Sequence, residues 1–241
     1  MNATLSGIAI LARDAQLVAV AKPAGLPVVP ARGEARGECL QHRLAAELGV
    51  RLWVVHRIDR EASGVVLFAC DADTHRAASL AFEHRRVRKR YLAWTHGAPA
   101  PGTIEIPLHA ARRGKTRPAR PGEAGALAAR TEIVVERRFT VGDATLARVE
   151  ARPASGRHHQ IRVHLRAAGA PILFDPLYGR GIPAQLLVGA PAGRLALHAL
   201  GLALDHPATG RPLEVEAPWP DDLVALDAWL GRAGGSLPHP G

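Results

Sequence analysis

Cysteine is almost missing from this chain: Cys39 and Cys70 are the only two in 241 residues, and neither lies in a CxxC pair. Two thiols cannot build a disulfide framework, so both are read as reduced. Long apolar runs are missing as well. None approaches the roughly 20 residues a helix needs to cross a bilayer, and Met1 to Ile10 lacks the basic segment and apolar core of a secretory leader. The expectation is a cytoplasmic protein with no membrane partner. There is no internal repeat. Acidic side chains are in short supply, with 22 Asp plus Glu against 31 Lys plus Arg, a formal charge of +9 and a pI near 10.8. An arginine-led surplus favours a phosphate-bearing partner, because guanidinium forks match phosphate oxygens and the field speeds encounter. A composition that simply favours arginine and alanine would give the same surplus with no such partner.

What is present starts with a core. With 47% hydrophobic residues, the chain can form one large domain or two small ones. Its most pointed stretch is His56-Arg57-Ile58-Asp59-Arg60-Glu61-Ala62-Ser63-Gly64, set between two valine-rich apolar runs, Leu52 to Val55 and Val65 to Ala69, which read as buried strands. A charged connection held by two rigid elements is a common mount for reactive side chains. The same residues also suit a hairpin turn in which Asp59 only accepts backbone amides.

Upstream, Leu17 to Ala21 reads as a strand stopped by Lys22-Pro23-Ala24-Gly25. Lys22 on that turn serves either as a phosphate or structural anchor or as a solvated lysine. Arg32 to Glu38 reads as a charged loop, and Cys39 to Leu48 as a helix closed by Gly49. Downstream, Asp71 or Asp73 caps a helix running to about Phe82. His84 to Arg90 places five formal positive charges in seven residues and leads into a strand, Tyr91 to Thr95. Basic residues beside aromatics suit a strand that follows an RNA backbone and reaches an unstacked base. Pro99 to Gly125, carrying Arg112, Arg113, Lys115, Arg117 and Arg120, reads as one long basic loop. Thr131 to Phe139 and Ala144 to Ala151 form paired strands around Gly142-Asp143.

The second dense polar stretch runs from Ser155 to Arg166. The pattern predicts a helix capped by Ser155 and ending at Gly169, with Ile161, Leu165 and Ala168 on one face and Arg162 and Arg166 one turn apart. Turns follow at Pro171 and Pro176 to Gly179, then an apolar stretch from Leu195 to Leu204, a turn at His206 to Gly210 and a final helix from about Asp221 to Leu230. Histidines at 158, 159, 164, 198 and 206 raise the question of a metal. The five-residue step from His159 to His164 does not make an i, i+4 pair, and no carboxylate or cysteine completes a recognised ligand pattern. A glycosidase reading of Asp59 with Glu61 lacks any support beyond the two carboxylates.

Six stretches in order, Lys22-Pro23-Ala24-Gly25, His56-Arg57-Ile58-Asp59 with Ser63-Gly64, Lys89-Arg90-Tyr91, Gly156 to His164, Asp175-Pro176-Leu177-Tyr178-Gly179 and Leu197-His198-Ala199, resemble the RluA-type pseudouridine synthases. The resemblance spans Lys22 to about Pro218. It implies an α+β fold, a single catalytic domain over residues 1–241 whose mixed, mainly antiparallel sheet lies in two halves with flanking helices and a central cleft. It also implies isomerisation of uridine to pseudouridine in rRNA or tRNA, with no metal and no organic cofactor. Only 21 residues precede Lys22, too few for the small S4-like RNA-binding domain that many relatives carry there, so the short form is expected. A monomer is the default for so basic a surface.

By this resemblance Asp59 is the catalytic aspartate, acting either as a nucleophile or by removing a ribose proton. Arg162 is its basic partner and holds it ionised. Tyr91 stacks on the target ring and takes the C5 proton. Arg57 fills the gap left by the flipped uridine, at a cost of a few kcal/mol of unstacking. Ile161 packs beneath the base, while Lys22, Lys89, Arg157 and the basic loop contact phosphates. His56 and Ser63 support the loop. Ala62 stands where the family commonly has threonine, with Ser63 available to cover the lost hydroxyl. Ser155 replaces another threonine, and Phe174 replaces a frequent glycine, which predicts an altered turn before Asp175. A protein of this fold that binds or folds RNA without catalysis is the rival reading. The presence of Asp59, Tyr91 and Arg162 together favours an enzyme.

Overall fold

The computed structural model describes residues 4–5, 7–30, 39–111 and 114–233. In chain order the elements are β1 (Thr4–Leu5), β2 (Ile8–Arg13), β3 (Leu17–Lys22), α1 (Leu40–Leu48), β4 (Trp53–Val54), β5 (Ser63–Ala69) and α2 (Ala72–Glu83). There follow β6 (Arg88–His96), β7 (Gly102–Glu105), β8 (Leu108–Ala110), β9 (Thr116–Pro118), β10 (Arg130–Val141), β11 (Ala144–Pro153) and α3 (Gln160–Ala167). After a short 3-10 turn at Ala184–Leu187, β12 (Leu197–Asp205), β13 (Pro212–Glu216) and α4 (Asp221–Ala233) close the chain. The fold is mixed α+β and mainly antiparallel. It divides into two compact units, one of Met1–Lys89 with His198–Trp219, the other of Arg90–Leu197 with Pro220–Gly241.

In the first unit β3 lies between β2 and β5, antiparallel to both, with Leu17 opposite Ala69 and Lys22 opposite Gly64. Every residue of β5 is buried, as expected of an apolar strand covered on both faces. Its other neighbour is β12, parallel, with His198 opposite Ser63 and Ala199 opposite Gly64, and β13 returns antiparallel to β12. Leu17, Val65, Leu67, Leu202, Leu204 and Val215 form the core of this unit. Asp71, rather than Asp73, caps α2: its Oδ1 accepts the Thr74 amide at 2.8 Å. Gly49 ends α1 at φ 64, the left-handed position that glycine adopts without strain.

The second unit is built on the β10–β11 hairpin, flanked by β6 beyond β11 and β7 beyond β10, all antiparallel. Leu223, Leu226 and Leu230 bury the apolar face of α4, and Asp227 accepts from Trp94 Nε1 at 2.9 Å.

Two expectations need correction. Pro99 to Gly125 is not one long loop. It holds β7, paired to β10, and the small β8–β9 hairpin, and the turn that follows β9 is braced by the Arg117 to Glu123 ion pair. Strands of three or four residues interrupted by Pro and Gly leave too few side chains for a period to be read. Arg112, Arg113 and the 32–38 loop lie outside the described residues. Nor does Ser155 cap α3, which begins at Gln160 after His159 at φ 54. The Ser155 hydroxyl instead donates to Gln160 Oε1 at 2.7 Å. Ile161 and Leu165 are buried as predicted, but Ala168 is exposed beyond the last turn.

Candidate active site

Of the residues singled out from the sequence, Lys22, His56, Arg57, Asp59, Ser63 and Lys89 belong to the first unit, and Tyr91, Arg157, Ile161 and Arg162 to the second. Each group has its own local construction.

In the first unit the His56 to Gly64 loop is tied down along its length. The Lys22 to Gly25 turn and Arg60 close on each other. The Gly25 amide donates to the Arg60 carbonyl at 2.8 Å, Arg60 Nε donates back to the Gly25 carbonyl at 3.0 Å, and Lys22 Nζ reaches the Arg60 carbonyl at 3.0 Å. Lys22 is 1% exposed and also donates to the carbonyls of Pro23 and Leu26, both at 2.8 Å. Three carbonyl acceptors in a buried site match the three protons of an ammonium. Lys22 is thus an anchor of the loop and not a surface contact for phosphate.

The loop's other end is set by the parallel step between β5 and β12. Ser63 Oγ lies 2.9 Å from His198 Nδ1, while His198 Nε2 lies 3.3 Å from the Ala217 carbonyl. The carbonyl can only accept, so His198 carries its proton on Nε2 and Ser63 donates. That commits the Ser63 proton to His198. Gly64, at φ 119, could not be another residue, because a Cβ there would overlap the backbone carbonyl of Ala199. The Ser63-Gly64 and His198-Ala199 motifs are therefore two sides of one close strand contact.

His56 is built as a neutral support. Its Nε2 accepts from the Leu67 amide at 3.0 Å, and its ring stacks on Phe82 with centroids 4.8 Å apart. Burial, with the nearby Lys89 charge, pulls its pKa down to about 3. Lys89 is itself brought to about 8 by burial and by Arg85. Within the loop Arg57 is exposed, Ile58 buried and Asp59 half-buried, and the Ala62 amide donates to the Asp59 carbonyl at 3.2 Å.

In the second unit Tyr91 is half-buried on β6 opposite Ala151, and Ile161 is buried in the first turn of α3. Arg162, 1% exposed, is gripped from the side by Asp175, with Nε and Nη2 each 2.8 Å from a carboxylate oxygen. The Leu177 and Tyr178 amides donate to the same carboxylate. Burial pushes the Asp175 carboxyl up, but Arg162 and these two amides outweigh it and hold the carboxyl below its ordinary value. The Tyr178 ring lies 5.2 Å from the Arg162 guanidinium, and its hydroxyl bonds the Thr116 amide and His159 Nδ1, both at 2.9 Å. Gly179 is required because a Cβ would lie 2.6 Å from the Asp175 carbonyl oxygen.

Asp175 and Tyr178 were not assigned a task from sequence. Their signal was the Asp-Pro-Leu-Tyr-Gly run itself, whose carboxylate is aimed by its own turn. Phe174 takes φ 58, a left-handed backbone that costs a residue with a Cβ about 1 kcal/mol. Two further polar residues of α3, Gln160 and His164, share a chain of hydrogen bonds through Thr131. Gln160 joins Ser155, the Arg130 carbonyl and Thr131, and His164 bridges Thr131 to the Ile106 carbonyl. Among the described residues no three of His, Cys, Asp or Glu converge as metal ligands. No described helix is long and apolar enough to cross a membrane.

The architecture is that of the pseudouridine synthases: the human RNA pseudouridylate synthase domain containing 4 superposes with a TM-score of 0.73 at 29% identity, covering 92% of each chain. The family model described as RNA pseudouridylate synthase matches residues 16–167. The dual-specificity RNA pseudouridine synthase RluA of Escherichia coli K12 is 35% identical over 213 residues, 88% of this chain and 93% of its own length. The ribosomal large subunit pseudouridine synthase D of Nitrosomonas europaea is 35% identical over 228 residues, and the match covers 90% of this chain but 63% of that relative. The chain belongs to the RNA pseudouridylate synthase family, in its RluA type.

Proposed function

We propose that this protein isomerises uridine to pseudouridine in ribosomal or transfer RNA, acting as one catalytic domain and as a monomer in the cytoplasm, with neither metal nor organic cofactor. The observation that carries this reading is the 35% identity to the dual-specificity RluA over nearly all of that enzyme's length. Asp59 acts on the flipped uridine, by covalent attack or by removal of a ribose proton, and Arg162 keeps it ionised. Tyr91 stacks on the ring and accepts the C5 proton after the base has turned. Arg57, exposed at the start of the loop, fills the vacated stack, and Ile161 packs under the base. Lys89 and Arg157 meet phosphates. The clamped loop supports these assignments, because Lys22 and Gly25 hold the residue next to Asp59 from two directions.

The test is to map pseudouridine in total RNA from cells carrying wild type, Asp59→Asn or no gene. Loss of the same sites in the variant and the deletion is expected. Sites that persist in Asp59→Asn but vanish in the deletion would instead favour an RNA-binding protein that does no chemistry of its own.

A further inference from the structure

The turn joining α2 to β6 carries charge that neither the fold nor the Asp59 loop uses. His84, Arg85, Arg86 and Arg88 are all exposed, and among the described residues no carboxylate pairs with them. Glu83 is the only acidic residue between Thr74 and Ile104. The backbone of the turn is tightly specified. The Arg85 amide donates to the Phe82 carbonyl at 3.1 Å and the Arg86 amide to the Ala81 carbonyl at 2.9 Å, the double closure of a Schellman motif. This puts Arg85 at φ 58, where glycine is usual and any Cβ is strained. A guanidinium thus occupies the one position of the turn where a bare glycine would be more comfortable. Strain of this kind persists where a side chain has a task.

The turn's place suggests that task. Phe82, in the last turn of α2, stacks on His56, the residue before Arg57 and three before Asp59. Val87 is 6% exposed, so the turn offers solvent charge with no apolar centre. A protein interface would need such a centre, whereas a phosphate backbone does not. We propose that Arg85, Arg86 and Arg88 grip backbone phosphates of the RNA strand flanking the target uridine. The inference rests on the reading that this chain acts on RNA through the Asp59 loop.

The test uses the full chain and a fluorescein-labelled RNA hairpin with uridines in its loop. Affinity is measured against salt for wild type, Arg85→Gly, Arg85→Lys and the double variant Arg86→Ala/Arg88→Ala, with a melting curve for each. Arg85→Gly is expected to melt at a higher temperature yet bind several-fold more weakly, with a salt slope shallower by about 0.7, the value for a single phosphate that is no longer neutralised. Arg85→Lys restores most of the slope, and the double variant shows about twice the reduction. Affinities and slopes equal to wild type in both Arg85→Gly and the double variant overturn the proposal, as does a weakening that lysine fails to restore. Pseudouridine formation by wild type is read separately on total RNA from cells lacking the gene. Failure there removes the catalytic reading, while the salt slopes still decide the phosphate grip.

Discussion

Arg162 and Asp175 meet through two parallel hydrogen bonds of 2.8 Å, with side chains 1% and 0% exposed. The arginine is held from one flank by a carboxylate that its own turn has already fixed through the Leu177 and Tyr178 amides. Removing the carboxylate takes two hydrogen bonds and an opposite charge from a buried guanidinium. Asp175→Ala should therefore cost about 3–5 kcal/mol in urea unfolding. Asp175→Asn should cost less, because an amide oxygen still accepts the two backbone donors. Equal losses for both would show that the charge pair, and not the turn's hydrogen bonds, carries the stability.

Tyr91 is half-buried on β6 with its backbone paired to Ala151. Tyr91→Phe keeps the ring and the strand but removes the hydroxyl. RNA affinity is expected to stay within about two-fold while pseudouridine formation falls by at least the roughly 10²-fold typical of a missing general base. Parallel loss of binding and turnover would reduce the tyrosine to a structural part.

His56 gives the fold an acid sensitivity. Its folded pKa of about 3 lies below the unfolded 6.5, so between those values the unfolded chain binds a proton that the folded chain does not. Stability then falls as pH drops through this window, by at most about 1.4 kcal/mol per unit. His56→Gln should be less stable at pH 7, through loss of the Phe82 stack, but should lose less on acidification. A wild-type to variant difference that is constant from pH 7 to pH 4 would rule this out.

Gly64→Ala is the sharpest test of the β5–β12 contact. The added methyl would overlap the Ala199 carbonyl, part of a backbone that cannot swing aside. We expect a loss of about 3 kcal/mol, the upper end of what overpacked cores usually show. Mild destabilisation, with the Ser63 to His198 bond intact by NMR, would mean that the strands can part.

Much of the fold was legible because the chain writes it in local terms. Leu17 to Ala21 and Val65 to Ala69 are apolar runs bounded by breakers, and both are strands. The β10–β11 hairpin announced itself by alternation around Gly142-Asp143. The short strands β7 to β9 were not legible, since their partners are remote and their own lengths too small to show a period. The helix at 160–167 was predicted too long at its start because Ser155 has the chemistry of a cap. Its hydroxyl was claimed by Gln160 instead, a choice among neighbours that spacing does not encode.

The candidate site divides in the same way. The sequence alone was enough to pick out the residue types: an acid in a basic loop, a tyrosine after a cationic run, an arginine on a polar helix, each of which needs only side-chain chemistry and order along the chain. Tertiary structure decided what each polar group is bound to. It turned Lys22 from a phosphate contact into a buried anchor, gave Ser63 to His198, and set Asp175 against Arg162. Burial removes water as the default partner, so each buried donor and acceptor must be answered by whichever group the fold brings near, and those groups come from residues far apart in the chain.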